Sequence, residues 1–469
     1  MGSTSMPLNA MAGYRPGSAF ANSPFPAMSR ARSKRSDPAV QSRIHIDASV
    51  EPSDYAAMEK SISELMSVAQ AIAILDAVPV HPRSSRVPLA KAMGLRLSQD
   101  LTADRDFPPV DKSQMDGYAV RCADVAGAPV ELKMVGEITA GNAADQPVLP
   151  GQAMAIMTGA PLPVGADGIV PVEETVIDGD SVRILKSTVP SRYIAARGCD
   201  MKAGHIVLQK GMLLQAPQLG VAAGIGAAEI PVFDRPKVGV LATGDELVPI
   251  DQTPESAQIR NGNSPMLLTL LKKWDCSAVD LGMVGDDPEK IRAAILSRLN
   301  KLDVLLITGG MSAGSRDFVP GILAELGFQL KISQLKIKPG KPFIFGVRGE
   351  KGPFVFGLPG NPVSGFVCAV RLVSRLIARL GGGEAKEKWL AGRLDNGLSA
   401  NGPREFYHPV VWSAVQGGTS ARTEFASVMP LQWKNSADLF TLAQANALLV
   451  RHENEPPLGK GTLVRVLEI

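Results

Sequence analysis

Apolar positions in the second half of the chain alternate between short unbroken runs and stretches at helical spacing. Residues 237–242, 279–284 and 303–308 read as buried strands. Helices are expected at 265–273 and, from the Asp287-Pro288 cap, through Ile291, Ala294, Ile295 and Leu299. Strands alternating with helices of this length predict a doubly wound parallel α/β sheet. After Asn361, the residues Val363, Phe366, Val367, Val370, Val373, Ile377 and Leu380 mark one apolar face of a further helix. Gly381-Gly382-Gly383 ends it and reads as a hinge or linker.

The flanking regions have another texture. Residues 101–200 are short strand-like runs divided by Gly, Pro and Asp, a β-rich insert, and 386–469 read as a small β domain. Upstream, Ser61-Ile62-Ser63-Glu64 forms a capping box, and Ile62, Leu65, Met66, Ala69, Ile72 and Ala73 follow at helical spacing. A Pro-rich turn at 80–88 and a short helix over 89–95 come next.

Composition narrows the field. A chain of 469 residues is too long for one core, so several domains are expected. The 46 glycines and 36 prolines favour many turns over a helical protein. The formal charge of +3 conceals +5 in residues 1–43, where Arg15, Arg30, Arg32, Lys34, Arg35 and Arg43 face Asp37 alone, and leaves −2 for the rest. That balance argues against nucleic-acid binding. The first 43 residues lack periodicity and read as a disordered basic tail. Their composition mimics a transit peptide without its amphipathic pattern, and Met6 stands where a myristoylation signal needs Ser or Thr. No secretory core or membrane span is visible. Cys122, Cys199, Cys276 and Cys368 are widely spaced and fit neither a disulfide framework nor a zinc site, so reduced cytoplasmic thiols are expected. The five histidines show no ligand spacing, and any metal should be a hard one held by oxygens.

The candidate chemistry gathers between Asp303 and Gly365. The run Val304 to Ile307 breaks at Thr308-Gly309-Gly310 into a loop with Ser312, Ser315 and Asp317. In open α/β sheets ligands bind outside such strand ends. Lys338 and Lys341 follow around Pro339-Gly340, and then Leu358-Pro359-Gly360-Asn361-Pro362 enters a helix. Asn361 suits the N-cap and Pro362 the first helical position, so free backbone N–H groups are expected there. Asp245 with Glu246, Asp286 and Asp317 fall on successive strand-to-helix turns, which the topology brings to one edge. Glycines, ammonium groups, a helix start and carboxylates suit a phosphorylated or otherwise oxyanionic ligand with a divalent metal. In the insert, Asp116-Gly117 and Thr158-Gly159 are by themselves turn signals.

Taken together, the motifs S-Q-M-D-G-Y-A, I-M-T-G-A-P, T-G-D-E-L, I-T-G-G-M-S-A-G-S-R-D-F, K-I-K-P-G-K-P and G-L-P-G-N-P-V-S-G, in that order, resemble the molybdopterin molybdenumtransferase family. This is the MoeA family of bacteria, which includes the E domain of animal gephyrin. The likeness runs from about Ser61 to Ile469. Beyond the basic tail (1–60), it implies an elongated domain (61–100 with 201–232) and a β-rich insert (101–200). A molybdopterin-binding α/β domain (233–384) and a C-terminal β barrel (385–469) complete it. It also implies a cytoplasmic homodimer whose active site lies between the α/β domain of one subunit and the insert of the other.

The implied reaction takes adenylyl-molybdopterin and molybdate to molybdenum cofactor and AMP with Mg²⁺. The implied catalytic set is Asp116, Thr158, Asp200, Glu246, Asp286, Asp317, Lys338 and Lys341, with Asp317 and Asp116 as metal ligands. Implied substrate contacts come from Thr243, Gly244, Asp245, Asn263, Ser264, Gly309, Gly310, Ser312, Pro359 and Pro362. Pro342, Arg404 and Ser436 join the lysines around the oxyanion. A molybdopterin adenylyltransferase and recipient molybdoenzymes are possible partners. The chain departs from the family at Lys112, Arg316 and Pro320, and the segment around Ser436 matches loosely. Two alternatives stand beside this reading: an adenylyltransferase built on the α/β domain, and a scaffold protein.

Overall fold

The computed structural model describes residues 65–311, 318–414 and 425–469. Its central sheet has the strand order Ser277–Val284, Lys237–Thr243, Val304–Thr308, Phe354–Leu358, Ile344–Val347 and Gln329–Ile332. All five residues of Val304–Thr308 are buried, because both faces of the sheet are covered. Val304 and Leu306 enter one apolar cluster with Leu267 and Leu271 of helix Asn263–Lys273 and with Val363 and Val367 of helix Pro362–Cys368. Leu305 and Ile307 point the other way, onto Ile291 and Ile295 of helix Pro288–Arg298 and Ile322 and Leu323 of helix Val319–Glu325. The period-two alternation of a strand thus accounts for an unbroken apolar run.

The sheet is not wholly parallel. The first four strands are parallel, but Ile344–Val347 runs antiparallel to Phe354–Leu358, and Gln329–Ile332 antiparallel to Ile344–Val347. The connection over 348–353 is too short for the crossover of about a dozen residues that a parallel pair requires.

Upstream, the helix occupies Val68–Ala77, and its capping box is Ser67 with Gln70. The Gln70 backbone N–H donates to Ser67 Oγ at 3.2 Å, and the Ser67 N–H to Gln70 Oε1 at 2.9 Å. Ser61 to Glu64, the expected cap, lie outside the described residues. Val68, Ala71 and Leu75 form the buried stripe, whereas Ala69 and Ala73 are exposed. Small apolar residues occur on every side of this helix, so only its packing against the central domain selects the stripe. The expected Pro-rich turn contains a strand, Ser84–Pro88, paired antiparallel with Glu229–Phe233, and only a short 3₁₀ turn at Leu89–Lys91 follows. Pro88 is tolerated because it ends the strand.

Strands Leu101–Thr102 and Ile206–Leu208 pair where the chain enters and leaves the insert. The insert itself contains a six-stranded sheet in which Gly117–Val120 lies between Gly168–Pro171 and Gln152–Ile156. At the C-terminal end, Trp389–Leu394, Glu405–Ser413, Ser427–Pro430, Ala447–Arg451 and Leu463–Glu468 pair in a closed ring. Closure removes free sheet edges, which suits a small β domain.

The Gly381-Gly382-Gly383 stretch is not a loose hinge. Gly382 has φ +75°, and a Cβ there would lie 1.9 Å from the Phe233 ring; a Cβ on Gly383 would lie 2.7 Å from Arg96. Gly382 and Gly383 thus make a tight packing joint against Phe233 and Arg96, and at Gly382 only glycine leaves room. Gly382→Ala is therefore expected to destabilise the fold by about 1–3 kcal/mol or more, from overpacking and left-handed backbone strain. A lowered midpoint in thermal or denaturant unfolding checks this, and an unchanged midpoint would refute it.

Candidate active site

Register brings four strand ends together. Thr243 pairs with Val284, Ala242 with Thr308, and Thr308 with Leu358, so the loops after these strands open on one edge. The Thr243 side chain is buried and its hydroxyl donates to the Thr308 carbonyl at 3.3 Å, tying neighbouring ends together. Gly309 has φ +91°, and a Cβ would meet the Thr243 carbonyl at 2.2 Å. Its N–H donates to the Leu358 carbonyl at 3.2 Å. Glycine there lets three chain segments converge. Gly310 follows with φ +64°. Ser312, Ser315, Arg316 and Asp317 lie outside the described residues.

Two of the expected carboxylate turns do meet. Asp245 Oδ1 accepts the Asp286 backbone N–H at 2.9 Å, and Asp245, Glu246 and Asp286 are all at least partly solvent-accessible. Gly244, between strand and acids, donates its N–H to the Val284 carbonyl at 3.1 Å. Across the edge, Asn263 Nδ2 donates to the Gly360 carbonyl at 2.7 Å, joining the next loop to Pro359-Gly360. Ser264 is buried and held by Asn261, whose Oδ1 accepts the Ser264 N–H at 3.1 Å and whose Nδ2 donates to its hydroxyl at 2.9 Å. Asn261 is a positioning residue that the sequence reading passed over. The clustered amides of Asn261-Gly262-Asn263 were the available signal.

Asn361 occupies the N-cap of Pro362–Cys368, but its side chain does not cap the helix. Its Nδ2 donates instead to Ser436 Oγ at 2.8 Å, and the Val363 N–H is taken by the Ser436 carbonyl at 3.1 Å. The expected set of free N–H groups is thus partly used by a loop of the C-terminal region. That loop brings Ser436 to the mouth of the central sheet.

Beside it lies a cationic wall. Strand Ile337–Lys338 pairs in parallel with Glu405 and Phe406 at the start of Glu405–Ser413. Lys341 and Pro342 are half-buried, and the Lys341 carbonyl accepts the Leu335 N–H at 2.9 Å, closing the loop. Arg404 reaches back to the Ile337 carbonyl at 3.4 Å. Burial lowers its pKa, a sign that the charged guanidinium is short of solvation. Among the described residues, none of Lys338, Lys341 and Arg404 has a carboxylate partner. Glu405 does not neutralise them, because alternation along the strand turns it and Tyr407 away from Phe406. There Tyr407 donates to Glu405, and Arg371 Nε donates to the Tyr407 hydroxyl at 2.7 Å. Glu405, although next to Arg404 in sequence, therefore does not neutralise the wall.

In the insert, Asp116 ends the bend leading into Gly117–Val120. Its Oδ1 accepts both the backbone N–H and the hydroxyl of Thr158 at 2.7 Å. These bonds, the backbone one first, hold the exposed carboxyl below its ordinary pKa. Asp200 lies apart from this pair, its N–H on the Phe107 carbonyl at 3.0 Å and its carboxylate 3.6 Å from Cys199 Sγ. Among the described residues, no hydrogen bond or ion pair joins Asp116, Thr158 or Asp200 to the strand-end loops. Nor is there a group of at least three His, Cys, Asp or Glu suited to a metal. Lys112 pairs with Ala195 in a short strand, and Pro320 sits in the first turn of Val319–Glu325, where its missing N–H costs little.

The chain matches the MoeA N-terminal region (domain I and II) over residues 66–226, a probable molybdopterin binding domain over 239–379 and the MoeA C-terminal region (domain IV) over 391–469. A molybdopterin molybdenumtransferase of Nostoc is 33% identical over 82% of this chain and 88% of its own. The chain belongs to the molybdopterin molybdenumtransferase family. Molybdopterin molybdenumtransferase 1 of Mycobacterium tuberculosis is 30% identical, covering 86% of this chain and 98% of its own. The crystal structure of the molybdopterin biosynthesis MoeA protein from Pyrococcus horikoshii superposes with a TM-score of 0.72 at 28% identity, over 87% of this chain and 100% of that one. Members of this family are enzymes, transferases by name, and the multidomain α/β fold with its terminal barrel is theirs. Matches across the insert and barrel set aside the alternative of an adenylyltransferase built on the α/β domain alone. No helix among the described residues is long and apolar enough to cross a membrane.

The Asp116–Thr158 pair gives a direct test. Thr158→Val removes the hydroxyl bond and keeps the backbone bond, so the Asp116 pKa should rise part-way towards about 3.9. Carboxyl NMR titration reads this, and an unmoved value would exclude the hydroxyl's contribution. Because the folded-state pKa is depressed, the pair's contribution to stability is present above the ordinary carboxylate value. It is lost as pH falls through the lower folded value.

Proposed function

We propose that the chain transfers molybdenum from molybdate to molybdopterin, consuming adenylyl-molybdopterin and releasing AMP. The observation that carries this reading is the cationic wall of exposed Lys338 and half-buried Lys341 and Arg404, without a carboxylate partner among the described residues, beside an edge where strand-end loops converge. Molybdate is a doubly charged tetrahedral oxyanion, and three cations with Ser436 at hand supply the charge and donors it needs. Gly309 and Gly310, both partly exposed, leave backbone accessible to a bulky phosphorylated pterin next to the buried Pro359, with Asn263 and Asn361 bracing the loops.

Breaking a phosphoanhydride requires neutralisation of the phosphate oxygens. The residues fit a magnesium ion of the phosphate-bridging kind, which takes one or two carboxylates and completes its shell with water and substrate. Asp116 is ionised, and only its Oδ1 is engaged by Thr158, which leaves Oδ2 available. Asp116 and Asp317 would hold the ion, which when bound supplies positive charge to the phosphates. Thr158 fixes the Asp116 carboxylate, while Glu246 and Asp286 orient the ligand or a water, and Asp200 closes the insert side. Asp116 then acts on a site in a second copy of the chain, which makes the working enzyme a homodimer. A cytoplasmic setting, with an adenylyltransferase supplying substrate and molybdoenzymes taking the product, completes the reading.

Asp317→Asn is expected to cut turnover of adenylyl-molybdopterin with molybdate by about 100-fold or more while leaving the fold intact. Mixing that variant with Asp116→Asn should restore activity that neither shows alone, since each mixed dimer retains one intact shared site. If the mixture stays inactive although mixed dimers form, or if a stable monomer turns over fully, the shared site is wrong. Lys338→Gln should raise KM for molybdate about 10-fold or more. An unchanged KM would remove the lysine from the oxyanion site.

A further inference from the structure

We infer that Phe406 is a positioning residue for molybdate, holding the Lys338 ammonium group over its ring so that the charge faces the oxyanion pocket. The inference rests on the oxyanion reading above and adds a residue to it. Lys338 Nζ lies 4.9 Å from the centroid of the Phe406 ring, within the range of cation–π attraction. The two residues are opposite one another in the parallel pairing of Ile337–Lys338 with the barrel strand. A lysine stem has four rotatable bonds, and without a partner its ammonium group would sample a wide volume. No carboxylate among the described residues fixes Lys338, so the ring is the contact that does so.

The ring is itself held. His408 lies on the same strand face with its ring centroid 5.2 Å from that of Phe406, and Trp433 approaches at 5.4 Å. His408 is anchored by Nε2, 2.8 Å from the Leu431 carbonyl. Trp433 precedes Ser436 in the loop that binds Asn361, so the aromatic group links the lysine to the other side of the pocket. An aromatic partner has one advantage over a carboxylate. It orients the ammonium group without cancelling its charge, which stays available to an incoming anion.

The test uses the full-length enzyme with Phe406 replaced by 4-fluoro-, 3,5-difluoro- and 3,4,5-trifluorophenylalanine. Fluorine drains electron density from the ring face while nearly preserving its shape. Molybdate affinity, read by titration with orthomolybdate and as KM at saturating adenylyl-molybdopterin, should fall stepwise along the series. Phe406→Leu should weaken it about 3- to 10-fold, and Phe406→Tyr should largely restore it. The loss should appear in KM for molybdate rather than in kcat, with no trend in melting temperature. A flat fluorine series in an enzyme whose KM still responds to Lys338→Gln would overturn the role of Phe406 and leave the oxyanion site standing. If Lys338→Gln has no effect on KM, the oxyanion reading fails and the role of Phe406 goes with it. Should Phe406→Leu fail to fold, the fluorinated series decides alone.

Discussion

Everything at the candidate site depends on the in-register pairing of buried parallel strands. Val304 to Ile307 place apolar side chains on both faces of the sheet, one set against each helical layer. A slip of one residue would exchange the two sets and disrupt both clusters at once. That constraint fixes where Thr243, Thr308 and Leu358 end, and therefore where the following loops converge. The Thr243 hydroxyl and Gly309 are small consequences of the same alignment: one ties the ends, the other leaves room for them.

Around this fixed edge the chain adds charge from a distance. The K-I-K-P segment leaves the α/β domain and pairs with the barrel, so Lys338 is positioned by a strand nearly seventy residues downstream. The same barrel strand supplies Phe406 on one face and Glu405 on the other, with Arg404 in the bend just before it. Arg371, Tyr407 and Glu405 form a separate network that occupies the acid. The separation of an acid from adjacent cations by strand alternation is what leaves the wall available to an anion. Partial burial of Arg404 with no carboxylate partner among the described residues is a cost to the fold that a bound oxyanion would offset.

The insert shows a different economy. Asp116 and Thr158 are far apart in sequence, yet pairing of Gly117–Val120 with Gln152–Ile156 brings their loops together. The resulting carboxylate is exposed and oriented by two bonds from one residue, which also lower its pKa. The Gly381 to Gly383 joint makes the complementary point, since an apparent hinge is a close contact with Phe233 and Arg96.

By itself the sequence determined the α/β alternation of the central domain, the β-rich character of its flanks and the family. Those features rest on local signals: apolar runs, helical spacing, caps and motifs whose order survives without any neighbour. Only the tertiary structure decided the antiparallel edge strands, the stripe buried by helix Val68–Ala77, the use of Asn361 by Ser436 and the pairing of Lys338 with Phe406. Each of these turns on a partner distant in the chain, and local periodicity carries no information about which distant strand, loop or ring will arrive.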